Sequence, residues 1–518
     1  MASRPANGER GRAGASGALL AEARNVSKAF TGVLANDRVD FELRAGEIHA
    51  LLGENGAGKS TLASILTGLY SADSGEIRVA GQPVSFRSPR DALARGVGII
   101  HQHFHLVDRF TVAENIVLGD TRQGFFMSPA GIRRAVADLG DRYGLEIAPD
   151  ATVAELSLGE RQRVEIVKML VREVDVLFLD EPTAVLAPGE VEALFATLRR
   201  MADDGKAIAL VTHKLNEVFS ICDRATVMRG GKVVAAAAIE DFTPETIARA
   251  MVGRDVDLKP RPSTRAPGAV VLAASGLGME AGHHCGLHGI DLEIRAGEIV
   301  GIAGVAGNGQ LQLAEVLAGL QRPDAGKVTV NGTDVTGKGP HAARKAGLAY
   351  VPEDRLGTGL ASGLSIADNL MLTSDTGFLF DRSGSRKKAA AAIGEYRVKA
   401  SGPEEVVRRL SGGNVQKILL ARELGSQASV FVVASPARGL DVAGIEFVRN
   451  LLQDYRDRGA AILLISEDLD EVRLLSDRIV VMHAGHITHQ CAAVDYDEAA
   501  IGLAISGYSG GGRFADTR

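Results

Sequence analysis

Tryptophan is absent from the 518 residues, and aromatic residues make up only 4% of them. A membrane-embedded chain usually places Trp and Tyr at its two interfaces. No run of about 18 uncharged apolar residues offers itself as a bilayer span either. Cysteine is scarce: Cys222, Cys285 and Cys491 stand alone, without metal-ligand spacing, and read as ordinary reduced thiols. No strong excess of either charge is present. A net charge of −6 argues against a general nucleic-acid-binding surface, and no nucleic-acid partner is expected. Residues 1–21 are rich in Gly, Ala, Ser and Arg but lack the apolar stretch of a secretion signal. They read as a flexible tail on a cytoplasmic protein, and residues 509–518 read as a second tail.

What the sequence does contain is one unit written twice. Arg44-Ala45-Gly46-Glu47-Ile48 recurs as Arg295-Ala296-Gly297-Glu298-Ile299, 251 residues on. Leu156-Ser157 recurs as Leu410-Ser411, 254 residues on. A period of that size means two copies of a domain, not a solenoid. The copies are expected at 22–252 and 269–508. Residues 253–268 carry Lys259-Pro260-Arg261-Pro262 and Pro267-Gly268 and read as an extended linker. Apolar runs at Ile48–Leu52, Val97–Ile100, Val176–Leu179 and Ala207–Val211 look like buried strands, and Glu190–Asp203 has helical periodicity. That alternation predicts an α/β fold with a largely parallel sheet.

Gly53-Glu54-Asn55-Gly56-Ala57-Gly58-Lys59-Ser60 fits the phosphate-binding loop pattern, after a predicted strand and before a helix opening at Thr61. Glycines let the backbone wrap phosphates, and the helix N-terminus adds its dipole. Lys59 should reach the β- and γ-phosphates, and the Ser60 hydroxyl should ligate Mg²⁺. Val176–Leu179 runs into Asp180-Glu181-Pro182. Asp180 would hold the metal, and Glu181 would polarise the attacking water.

Between these motifs lies Leu156-Ser157-Leu158-Gly159-Glu160-Arg161-Gln162-Arg163. Here the chain resembles the ABC ATPases, whose signature is LSGGQ followed by a basic, glutamine-rich helix. The resemblance implies two tandem P-loop domains, each a mixed, largely parallel sheet with helices and a helical subdomain that carries the signature. ATP and Mg²⁺ are then the expected cofactors. It also implies roles for single residues: Gln102 as a glutamine that touches Mg²⁺, His213 as a γ-phosphate contact, and Phe30 as the aromatic that stacks on adenine.

The second copy keeps the frame without the chemistry. Its loop reads Gly304-Val305-Ala306-Gly307-Asn308-Gly309-Gln310-Leu311, so Gln310 replaces the lysine and Leu311 the hydroxyl. Ala434-Ser435 stand in place of Asp180-Glu181, Glu467 in place of His213, and Glu353 in place of Gln102. Its signature, Leu410-Ser411-Gly412-Gly413-Asn414, is nevertheless closer to the family pattern than the first. In the family, domains pair head to tail, so each ATP meets one domain's loop and the other's signature. The resemblance thus pairs the intact loop with Ser411, Gly412, Gly413 and Asn414. It leaves the altered loop (Gly304, Gly307, Gly309, Gln310, Leu311) with the altered signature (Ser157, Gly159). That pairing could lie within one chain or between two copies. Asp441 matches the family's D-loop aspartate, where the first copy has Ala187.

Two fused domains with a weak second half resemble the ATP-binding subunits of bacterial nucleoside and monosaccharide importers. Such a motor would sit at the cytoplasmic face of the cell membrane under two polytopic permease subunits, served by a solute-binding protein. His101-Gln102-His103-Phe104 and Thr183-Ala184-Val185-Leu186 lean toward the nucleoside branch, with a ribose-, galactose- or xylose-type importer as the alternative. A tandem ATPase acting on the ribosome is the reading from another class, disfavoured by the short linker and the ruined second site. Residues 373–405 read as a surface helical segment of the second copy, without a functional assignment.

Overall fold

The computed structural model describes residues 17–102, 104–119, 129–183, 186, 188–256, 261, 263, 266–280, 285–305, 307–373, 381–505, 507–509 and 512–513. The chain divides into two compact units, Met1–Val256 and Asp257–Arg518. His103, Ala184, Val185, Ala187, Lys259, Pro260, Pro262, Ala306 and most of both terminal tails lie outside the described residues.

In the first unit the elements run β1 (Leu19–Phe30), β2 (Val33–Arg44), β3 (Ile48–Gly53), α1 (Lys59–Leu66), β4 (Ser74–Val79), β5 (Gln82–Val84), α2 (Pro89–Ala94), β6 (Val97–Ile100), α3 (Val112–Val117), α4 (Pro129–Tyr143), α5 (Leu158–Val171), β7 (Val176–Asp180), α6 (Pro188–Asp203), β8 (Ala207–Thr212), α7 (Leu215–Ile221), β9 (Arg224–Arg229), β10 (Lys232–Ala238) and α8 (Pro244–Val252). One sheet, in order β2-β1-β4-β5, is antiparallel. The other, β10-β9-β3-β8-β7-β6, is parallel except at its β9–β10 edge. The strand β3 is central, and all six of its residues are buried, as its unbroken apolar run requires. α1 buries Leu62, Ile65 and Leu66 between the two sheets, among Leu43, Leu51 and Phe178. α3 and α4 pack on α5, which carries the first signature.

The second unit repeats the plan with β11 (Val270–Met279), β12 (Leu287–Arg295), β13 (Ile299–Ala303), α9 (Gln310–Leu317), β14 (Ala325–Val330), β15 (Thr333–Asp334), α10 (Pro340–Lys345), β16 (Leu348–Val351), α11 (Ile366–Met371), α12 (Arg382–Glu395), α13 (Gly412–Leu424), β17 (Val430–Ala434), α14 (Val442–Asp457), β18 (Ala461–Ile465), α15 (Leu469–Leu475), β19 (Arg478–His483), β20 (His486–Ala492), α16 (Glu498–Ile505), β21 (Tyr508–Ser509) and β22 (Gly512–Arg513). Its parallel sheet has the matching order, β16-β17-β18-β13-β19-β20. α12 lies in the segment 373–405 and turns Ser385 and Ala389 inward.

Both tails are shorter than the composition indicates. Leu19, Leu20 and Ala21 belong to β1, where Ala21 pairs with Leu43 and Val79 and is buried. Backbone pairing outweighs the small-residue composition there. At the other end Tyr508 and Ser509 pair with Arg513 and Gly512 in a short hairpin. Within the expected linker, Arg261 is pinned to α14 by ion pairs with Asp454 (3.1 Å) and Asp457 (2.7 Å).

Candidate active site

The loop joining β3 to α1 is held in a shape that few residues adopt. Gly58, the N-cap of α1, has φ 102°, and a side chain there would collide with the Ala35 carbonyl. At Gly53 a side chain would meet the Met228 carbonyl and Ala57. Glu54, Asn55, Gly56 and Ala57 form the bend between them, and Ser60 and Thr61 continue into the first turn of α1. Lys59 is 6% exposed. Its ammonium folds back over the loop and donates to the carbonyls of Gly53 (2.8 Å) and Glu54 (3.0 Å).

Two carboxylates face this loop from the end of β7. The Ser60 hydroxyl lies beside Asp180. Burial, and then the neighbouring charge of Glu181, push the Asp180 carboxyl above the usual range, against the pull of Ser60 and Lys59. Glu181 adopts φ 47°, a left-handed conformation uncommon for a side chain of its size, and its N–H donates to Val211 on β8 at 2.8 Å. That turn lifts its carboxylate off the strand. One oxygen lies 2.9 Å from His213 Nδ1, and the other accepts from Gln102 Nε2 at 3.2 Å. The His213 contact is the main reason the Glu181 carboxyl sits below its usual range, although burial opposes it. Lys59, Ser60, Gln102, Asp180, Glu181 and His213 are thus joined by contacts or by charge. Phe30, at the end of β1, makes a different contact. It is exposed and meets Tyr70 edge-on at 5.3 Å.

The donor set fits a magnesium nucleotide. Among the described residues no group of three or more His, Cys, Asp or Glu is placed to hold a metal alone. Mg²⁺ needs no such cage, because one or two protein oxygens suffice when phosphates supply the rest. Ser60 and Asp180 are two such oxygens. A buried carboxylate kept above its usual range is a group that a cation would relieve.

The second unit builds the same cradle with other side chains. Gly309 has φ 99° at the N-cap of α9. Gln310 donates to the Val305 carbonyl at 3.0 Å, the counterpart of the Glu54 carbonyl used by Lys59. Asn308 accepts from the N–H of Ala484 at 2.8 Å and fastens the loop to the β19–β20 turn. Leu311 is 45% exposed where Ser60 stands in the first unit. Glu353 forms an ion pair with Arg438, where the first unit has Gln102 on Glu181. The frame is intact, but the ammonium, the hydroxyl, the carboxylates and the imidazole are missing.

The signatures differ as well. Ser157 caps α5 in a closed capping box with Glu160, and the next residue, Leu158, is 47% exposed. Ser411 caps α13 without a bond to the helix backbone, and its hydroxyl accepts from Asn414 Nδ2 at 2.8 Å. Small Gly412 and Gly413 follow. Gly159 in the first unit lies under the carboxylate of Glu190, which a side chain there would have to push aside. Sequence reasoning missed the cluster of Thr183, Lys214 and Glu217, which bond to one another next to the segment of His213.

Residues 36–184 and 287–437 match the ABC transporter family model. The chain belongs to the ABC transporter ATP-binding proteins. It hydrolyses ATP, as that family does. Relatives cover almost its whole length. The glucose import ATP-binding protein TsgD13 of Haloferax volcanii is 42% identical, over 93% of this chain and 95% of its own. The guanosine import ATP-binding protein NupO of Bacillus subtilis is also 42% identical, over 94% and 97%. Among relatives of 38–42% identity, proteins named for sugar import outnumber those named for nucleoside import, against the nucleoside leaning of the short motifs. A solved complex of the archaeal ribosome recycling factor aABCE1 with the stalk protein aP1 aligns with a TM-score of 0.62. It covers 89% of this chain and 88% of that one at 19% identity, a likeness of fold alone. No helix among the described residues is long and apolar enough to cross a membrane.

Proposed function

We propose that the chain is the motor of a bacterial monosaccharide importer, acting at the cytoplasmic face of the cell membrane on two permease subunits served by a solute-binding protein. The hydrolytic half of this reading is carried by one observation: Glu181 is held at the end of β7 between His213 and Gln102, with Asp180, Ser60 and Lys59 beside it.

Each residue has a task. Backbone N–H groups of the Gly53–Gly58 loop and the N-terminus of α1 receive phosphate oxygens. Lys59 exchanges its two carbonyl partners for the β- and γ-phosphates. Ser60, Asp180 and Gln102 would hold the metal, which would supply charge opposite to that of the phosphates. Glu181 accepts a proton from the water that attacks the γ-phosphorus as the bond to the bridging oxygen breaks, and His213 keeps that carboxylate ionised and aimed. Phe30 offers its ring to adenine.

The sugar assignment rests on the balance of relatives. A nucleoside cargo is the second reading, favoured by the guanosine-import relative and by the His101-Gln102-His103-Phe104 motif. A thermal-shift screen of the cognate binding protein separates them. Stabilisation by a monosaccharide supports the first reading, and stabilisation by nucleosides alone replaces it with the second.

A further inference from the structure

Glu217 takes no part in the chemistry just described, yet it is only 8% exposed and richly bonded. Its carboxylate accepts from the hydroxyl of Thr183 and from that of Thr212 (3.3 Å), and it pairs with Lys214 Nζ at 3.1 Å. Lys214 Nζ also donates to the Thr183 carbonyl and hydroxyl, at 3.3 Å each. Thr183 follows Glu181 by two residues, and Thr212 and Lys214 flank His213. One buried carboxylate therefore joins the segment that carries Glu181 to the segment that carries His213.

We propose that Glu217 is a positioning residue for hydrolysis, which with Thr183 and Lys214 forms a brace that fixes the contact between Glu181 and His213. The proposal rests on the roles assigned above to those two residues.

Two observations support it. The first is a local sacrifice. Lys214 is the N-cap of α7 and makes no capping bond. At the matching place in the second unit Asp468 caps α15, accepting from Asp470 (2.9 Å) and Glu471 (3.3 Å). Asp is among the best N-cap residues and Lys is not. The first unit gives up the better cap to place an ammonium against Thr183 and Glu217. Rule-breaking of this kind is expected at functional sites.

The second observation is the second unit itself, which serves as an internal control. Glu471 stands where Glu217 does and keeps a hydroxyl partner, Ser466, at 2.5 Å. However, Ala437 replaces Thr183 and Asp468 replaces Lys214. Burial then pushes the Glu471 carboxyl up to about 7. Asp468 adds to the rise, while Ser466, the Ala437 N–H and Arg449 on α14 oppose it. The brace is missing in the unit that also lacks the Glu–His pair, whereas the surrounding fold persists. The buried acid thus needs neither Thr nor Lys beside it for the domain to form.

The test transplants the second unit's residues into the first. In the full chain, Thr183→Ala and Lys214→Asp, singly and together, should lower kcat for ATP about tenfold or more, the scale of a small misplacement of reacting groups. The KM and Kd for ATP should stay within about twofold. Thr183→Ser should restore the native rate. A kcat within twofold of native overturns the proposal. So does a KM that rises in step with the loss of kcat. Glu181→Gln is run alongside. If that variant still hydrolyses ATP at the native rate, the reading of the site has failed. If it is dead and Thr183→Ala is not, only the brace has failed.

Discussion

Glu181 and Ser435 share one backbone conformation. Their φ angles are 47° and 44°, and each N–H donates to the adjacent strand, to Val211 at 2.8 Å and to Ile465 at 2.7 Å. A left-handed non-glycine residue costs roughly 1–2 kcal/mol. In the first unit that cost aims a carboxylate at the phosphate loop. In the second it is retained with no catalytic side chain to aim. Ser435→Gly should therefore leave thermal stability unchanged or raise it by up to ~1 kcal/mol, the relief of strain being partly offset by backbone entropy. Glu181→Gly should abolish ATP hydrolysis. Calorimetry and phosphate release measure the two effects, and a clear loss of stability in Ser435→Gly would show that the serine side chain matters there.

Lys59 and Gln310 use corresponding carbonyls as anchors, but only Lys59 brings a charge. Lys59→Ala should raise the Kd for ATP at least tenfold and stop turnover. Gln310→Ala loses one neutral hydrogen bond, about 1 kcal/mol, and should leave phosphate release within about twofold. Equal loss of turnover in the two variants, measured under saturating Mg-ATP, would place catalysis in the second unit as well.

Asp180 yields a prediction with an unusual sign. Burial raises its folded-state pKa, so the folded protein holds the proton more tightly than the unfolded chain does. The stability this contributes is present at low pH and is lost as pH rises through the folded pKa, above the usual carboxylate range. At pH 7 the ionised group is a cost until a cation meets it. Without ligand, Asp180→Asn should melt at the same or a higher temperature than the native chain at pH 7, and the difference should shrink toward pH 4. With Mg-ATP the order should reverse. A nucleotide-free Asp180→Asn that melts several degrees lower at pH 7 would contradict this.

Much of this was legible in the sequence because motifs of the site have fixed spacing and sit at strand ends. The apolar runs at Ile48–Leu52, Val97–Ile100, Val176–Leu179 and Ala207–Val211 became β3, β6, β7 and β8 almost residue for residue. They are buried on both faces, so their composition is unmistakable. The start of β1 was less clear, since Leu19-Leu20-Ala21 reads as the end of a small-residue tail until pairing with Leu43 and Val79 is seen. The Thr183–Lys214–Glu217 cluster has no motif. Its members lie over thirty positions apart at the extremes, and a lysine at a helix start looks like a solvated surface residue. The substitution of Glu353–Arg438 for Gln102–Glu181 was half visible. The exchange of glutamine for glutamate could be read, but not its partner. Cargo preference was the weakest reading, because the motor's phosphate chemistry is the same whichever solute is moved.

The central claim is that hydrolysis belongs to the first unit alone. The most direct measurement is steady-state phosphate release by the Glu181→Gln chain, purified with its membrane subunits and compared with the native assembly at equal ATP occupancy. Loss of a general base predicts a fall of 10²–10³-fold with ATP still bound. A variant that retained half or more of the native rate would mean that the second unit hydrolyses ATP despite Gln310, Leu311, Ser435 and Glu467, and would contradict the account.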